Sequence, residues 1–134
     1  MGSRWESVVV DAADPARLAR WWAAALNYRL VDEQPDGVEI RAAADGLPSL
    51  VFVPVREPKR VKNRLHIDLR PDDQAAEVER LVDMGARHVD IGQAGDSAVT
   101  WVVLADPEGN EFCVLRAVEA PGGAAAVGAA EAVG

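Results

Sequence analysis

Asp106-Pro107-Glu108-Gly109-Asn110-Glu111-Phe112-Cys113-Val114-Leu115 is a turn feeding a strand. Pro107 fixes one turn position and Gly109 can take a positive φ, while the apolar run after Glu111 suits a pleated, buried segment. Residues 98–105 before the turn and 111–116 after it therefore read as paired strands. Working backward, residues 87–91 form another strand candidate, and Gly85 ends a helix that starts at Asp72 or Asp73. In that helix Ala76, Val78, Leu81, Val82 and Met84 supply the buried side. Residues 64–69 alternate polar and apolar side chains as a half-buried strand does. The second half thus reads β-α-β-β-β.

The first half repeats that order. A Val-rich strand at residues 7–11 gives way to Asp14-Pro15, an N-cap acceptor followed by proline at the first helical position. Leu18, Trp21, Trp22, Ala25 and Leu26 then recur at helical spacing and Asn27 stands where a helix ends. Strand candidates at 28–32, 38–42 and 49–55 follow, separated by Gln34-Pro35-Asp36-Gly37 and Asp45-Gly46-Leu47-Pro48. A period of about 60 residues covers nearly the whole body and is the strongest organisational signal in the chain.

With 134 residues the chain makes about one domain. Its 22 acidic residues against 14 basic ones give a formal charge of -8, which argues against sequence-independent nucleic-acid binding and against anionic membranes. No apolar run approaches the ~20 residues that span a bilayer, and the opening residues carry no secretory hydrophobic region. One cysteine, Cys113, excludes an internal disulfide and a structural zinc site built on several thiolates. A reducing cytoplasm is the expected compartment. The expected organisation is a domain at 4–116, with module one at 4–55, a basic connector at 56–63 and module two at 64–116. Residues 117–134, with eight Ala and four Gly, read as a mobile tail.

The Asp11–Pro15 segment before the Trp21-Trp22 helix, Lys62-Asn63-Arg64-Leu65-His66-Ile67-Asp68-Leu69, the Met84-Gly85-Ala86 turn and the 106–115 stretch together resemble a glyoxalase-like domain of the vicinal oxygen chelate superfamily. That superfamily includes glyoxalase I, extradiol dioxygenases and bleomycin-binding resistance proteins. The resemblance implies an α+β fold in which two tandem β-α-β-β-β modules form a curled mixed sheet around a cleft, often completed in a homodimer. It also implies that metal-dependent members take their ligands from the first and last strand of each module. Matched to this sequence, those places hold Ser7 on the first strand, with Val9 and Asp11 on its side, and His66 on the fifth, with Asp68 and Arg70. The last strand offers Cys113 between Glu111 and Leu115, and the fourth only Leu50, Val51, Phe52 and Val53. The expected ligand set is incomplete, so no metal site is assigned and a divalent cation is left open.

These residues support three functional readings. The first is a small-molecule-binding protein whose ligand meets Asp11, His66, Asp68, Trp101, Glu111 and Cys113. The others are a metal-dependent lyase or isomerase acting on a carbonyl substrate, and a drug-sequestering protein of the bleomycin-resistance type. A two-histidine iron dioxygenase is disfavoured, because the only other histidine, His88, sits on a different strand. Trp101 is a stacking platform if it points into the cleft, whereas Trp21 and Trp22 lie on the buried helical stripe. Cys113 reads as a small buried hydrophobe. Residues 56–64 hold five of the basic side chains, either as a solvated linker or as a guide for an anionic substrate.

Overall fold

In the computed structural model, residues 2–89 and 100–118 are described; the readings for 90–91, for 98–99 and for the tail beyond 118 lie outside them. The chain divides into two compact units, Met1–Lys59 and Arg60–Gly134, with the division inside the basic connector. In the first unit β1 (Ser7–Ala12) leads into helix α1 (Pro15–Leu26), then β2 (Arg29–Gln34), β3 (Gly37–Arg41) and β4 (Ser49–Pro54). The second unit runs β5 (Asp68–Leu69), α2 (Gln74–Asp83), β6 (Arg87–His88), β7 (Val102–Ala105) and β8 (Glu111–Val114). The strand orders are β1-β4-β3-β2 and β5-β8-β7-β6. Each sheet is mixed, because the helical crossover sets its first strand parallel to its last while tight turns join the other three antiparallel. The twice-repeated β-α-β-β-β order read from the sequence is present in full.

Local chemistry starts and stops the helices. The Asp14 carboxylate accepts the Arg17 N–H at 3.2 Å with Pro15 in the first turn, and Asp73, rather than Asp72, caps α2 by accepting the Ala76 N–H at 3.0 Å. Asn27 ends α1 in the left-handed region at φ 55°, and the Tyr28 N–H returns to the Ala23 carbonyl at 2.9 Å. Leu18, Ala19, Trp22 and Ala25 are buried with Val38, Ile40, Leu50 and Phe52 as the core of the first unit. Trp21 is half-buried and meets Trp22 edge to face with ring centroids 5.1 Å apart.

Three expectations need correction. Of the apolar residues read as the buried side of α2, only Leu81 is buried; Ala76 and Val82 are exposed, and Val78 and Met84 are intermediate. Helical spacing marks a stripe but not its width, and this ten-residue helix buries a narrow one. The strand read over 64–69 contracts to Asp68–Leu69. Its parallel ladder runs through Cys113 N–H to the Ile67 carbonyl and Leu115 N–H to the Leu69 carbonyl, at 2.9 and 2.8 Å. The Glu111 N–H, which would continue that ladder, is taken instead by the Asn63 side chain at 2.8 Å, so residues 64–67 lie outside the strand. Thr100 and Trp101 likewise precede β7 rather than belonging to it.

Candidate functional site

The turn that identified the second module is built around one carboxylate. Asp106 is fully buried and its Oδ1 accepts the N–H groups of Glu108 and Asn110, both at 2.9 Å, while Oδ2 accepts the Asn110 side-chain amide at 3.0 Å. The Asp106 carbonyl accepts the Gly109 N–H at 2.8 Å with Gly109 at φ +89°, a conformation for which a side chain is a penalty. This rigid turn delivers β8. Along β8, alternation sends Phe112 and Val114 to one face and Glu111, Cys113 and Leu115 to the other.

Register then gathers the chemistry. Asp68 on β5 stands directly beside Cys113 on β8, which is itself paired with Val103 on β7, so the three side chains form a row on one sheet face. His66 lies two residues ahead of Asp68. Its Nδ1 is 3.3 Å from Asp68 Oδ1 and 3.9 Å from Cys113 Sγ. Among the described residues these three are the group whose ligating atoms, one from each, all lie within 4.8 Å of one another. The His66 and Asp68 side chains are 19% and 18% exposed, whereas Cys113 is buried. Asp68 Oδ1 is shielded from solvent, with the His66 ring nitrogen beside it, and the Asp68 carboxylate also interacts with the Cys113 thiol.

Burial pushes the Cys113 thiol up to about 11, with the negative charge of Asp68 adding to the effect and the Lys62 ammonium opposing it. A thiol held neutral in this way is a poor nucleophile. Beside it, Val103, Cys113 and Leu115 form an apolar cluster against which Val89 and Trp101 pack. The face therefore carries polar groups at His66 and Asp68 next to an apolar, aromatic section.

Of the six residues expected at the site, His66, Asp68 and Cys113 come together and Trp101 adjoins Cys113 through the apolar cluster. Glu111 is tied to the connector, its Oε1 accepting the Asn63 backbone N–H at 2.9 Å. Asp11 belongs to the first unit, where it is exposed on β1 opposite Val53. On β4, Leu50 and Phe52 are core residues. His88 is exposed on β6, at the opposite edge of its sheet from β5. The sequence reading missed Asn63, which hid among the basic residues of the connector. It also missed Gln74, the first residue of α2, whose amide donates to the Thr100 and Val114 carbonyls at 2.8 and 2.9 Å. Neither carries a local sequence signal, because each is defined by a partner far along the chain.

An imidazole, a carboxylate and a cysteine sulfur form a donor set that borderline divalent cations accept once the thiol gives up its proton. No helix among the described residues is long and apolar enough to cross a membrane.

Comparison with known proteins gives the fold a family. A family model described as a glyoxalase-like domain matches residues 7–115. No curated protein matches the sequence. Among solved structures, TnmS3, an antibiotic binding protein from Streptomyces sp. CB03234, is 21% identical over 86% of this chain and 96% of its own, with a TM-score of 0.59. TioX from Micromonospora sp. ML1 is 18% identical over 87% of this chain and 100% of its own, at 0.56. A putative glyoxalase from Bacillus halodurans is 14% identical over 84% and 94%, at 0.64. At these identities the likeness is one of fold, and the fold is that of the vicinal oxygen chelate proteins. With the family model spanning both β-α-β-β-β units, the chain belongs to the glyoxalase-like domain family.

Proposed function

We propose that this chain binds a small organic molecule on the face of its second unit that carries His66 and Asp68, and that it sequesters this ligand rather than converting it. The observation that carries the reading is the adjacency of a half-buried imidazole–carboxylate pair to the apolar Cys113–Trp101 section. A planar ligand with hydrogen-bonding edges suits such a surface, since aromatic stacking supplies affinity and a few placed polar groups supply orientation. The neutral thiol offers no nucleophile to attack a bound ligand. A metal-dependent lyase or isomerase is the second reading, favoured by the convergence of three ligating atoms.

The reading extends to a reducing cytoplasm, supported by a single buried cysteine, and to a homodimer, as the family resemblance implies. The test is a titration of the full chain with a panel of planar antibiotics and natural products, followed by tryptophan fluorescence and by mass spectrometry of the recovered compound. Saturable binding that Trp101→Ala and His66→Ala each weaken about tenfold, with the compound recovered unchanged, is the expected result; a tenfold effect is about 1.4 kcal/mol. Binding indifferent to both substitutions would sink the site assignment, and consumption of the compound would sink sequestration. Metal-dependent turnover of a thiohemiacetal would favour the second reading.

A further inference from the structure

Resting on the ligand-binding reading of the His66–Asp68 face, we infer that the exposed cations Arg60, Lys62 and Arg64 flank that face as an oxyanion-recognising edge, so that the ligand is an organic anion, an apolar body carrying a carboxylate or phosphate group. The basic run of the connector, open between a solvated linker and a substrate guide on sequence grounds, is thereby divided. Arg56 and Lys59 belong to the first unit, whereas Arg60, Lys62 and Arg64 belong to the unit that carries His66.

Three observations carry it. First, the charge is local and uncommitted. Residues 60–65 hold three cations and no acid in a chain of formal charge -8. Among the described residues no carboxylate forms an ion pair with Arg60, Lys62 or Arg64, whereas Arg20, Arg41 and Arg80 are paired with Glu33, Glu39 and Glu77. Charges are screened beyond roughly 10 Å at about 0.1 M salt, so nearby cations outweigh the acidic total of the chain. The carboxylates brought to this face are already engaged, Asp68 by the His66 imidazole and the Cys113 thiol, and Glu111 by the Asn63 N–H. Second, the cations are rooted beside the site. Asn63 is fastened to Glu111 through its backbone N–H and its side chain, at 2.9 and 2.8 Å. Lys62 and Arg64, its chain neighbours, are thereby held at the start of β8, and Arg64 stands two residues before His66. The Lys62 ammonium is close enough to oppose the rise of the Cys113 thiol. Fixed roots with exposed side chains let an anion be met without rearranging the frame.

Third, apolar side chains are interleaved with the cations. Leu65 and Val61 are 87% and 77% exposed, the most exposed large apolar side chains among the described residues. Water gains nothing from either, whereas an amphiphilic anion covers apolar surface with its body and meets a cation with its charged group. Arginine suits carboxylate and phosphate alike, because its planar fork donates two parallel hydrogen bonds to either.

The experiment titrates the full chain calorimetrically with four probes that share one body: 2-naphthoate, 2-naphthyl phosphate, neutral 2-naphthol and cationic 2-naphthylmethylammonium. At low salt both anions should bind about tenfold more tightly than 2-naphthol, with the ammonium weakest, and the advantage should shrink at about 0.3 M salt. Whichever anion binds more tightly assigns the oxyanion. Lys62→Gln and Arg64→Gln should each weaken the anions roughly two- to fivefold, the range of an exposed charge pair, while 2-naphthol is unaffected. That unaffected binding shows that the fold is retained, and Lys62→Arg should keep the anion preference. Arg87→Gln, on β6 of the same unit, should change nothing, and Leu65→Ser should weaken the anions and 2-naphthol alike. Anions bound no more tightly than 2-naphthol, no binding of either anion, or a preference indifferent to both Lys62→Gln and Arg64→Gln would each overturn the proposal. If 2-naphthol binding is still weakened by Trp101→Ala and His66→Ala in that event, the ligand-binding reading stands without an anionic ligand.

Discussion

Asn63 and Glu111 hold each other at both ends. The Asn63 backbone N–H donates to Glu111 Oε1 at 2.9 Å, and the Glu111 backbone N–H donates to Asn63 Oδ1 at 2.8 Å. This reciprocal pair pins the end of the basic connector to the start of β8, and it stops the β5–β8 ladder short of His66. Lys62, next to the clasp, is thereby kept close enough to act on the Cys113 thiol.

Asn63→Ala removes the side-chain half of the clasp and leaves the Glu111 N–H without its acceptor. A loss of about 1–3 kcal/mol is expected, measured by urea denaturation. The amide of Glu111 should also exchange faster with deuterated solvent than in the parent protein. Unchanged exchange at Glu111 would show that the clasp is not what holds the segment.

Asp106 is fully buried and serves three donors of its own turn. Asp106→Ala strands the Glu108 and Asn110 N–H groups, and a destabilisation of roughly 2–4 kcal/mol is expected. Asp106→Asn retains one acceptor oxygen and should cost less. Thermal denaturation of the two variants side by side checks the order, and equal losses would count against the hydrogen-bond account.

Burial holds the Cys113 thiol near 11. In metal-free protein at pH 8, alkylation by iodoacetamide should run about a hundredfold slower in the folded state than in denaturant, where the thiol ionises near ~8.5. The linkage has a definite sign: between those two values the folded state retains a proton that the unfolded state releases, so stability falls as pH rises from about 8.5 toward 11. Cys113→Ala should remove that part of the alkaline loss. A folded-state alkylation rate equal to that in denaturant would contradict the burial.

The two adjacent tryptophans of α1 should behave differently. Trp22 is 4% exposed in the core of the first unit, and Trp22→Ala is expected to cost about 3–5 kcal/mol. Trp21 is half-buried against the edge of Trp22, and Trp21→Ala should cost less than half as much. Chemical denaturation distinguishes them, and equal costs would mean that Trp21 is as much a core residue as its neighbour.

What the sequence determined by itself is local. The Asp14 and Asp73 caps, the left-handed stop at Asn27 and the Asp106–Asn110 turn each depend on residues within five positions of one another, so residue type and spacing state them directly. The doubled strand-helix order follows from those signals repeated. The tertiary structure decided what long-range register controls. His66 and Cys113 are 47 positions apart, and only the pairing of Asp68 with Cys113 places thiol, carboxylate and imidazole together. A one-residue slip of that pairing would turn Cys113 to the opposite face, because side chains alternate along a strand. The same long-range register explains why Glu111, attractive by type, is tied to Asn63 while Asp68, two residues from His66, meets both the imidazole and the Cys113 thiol.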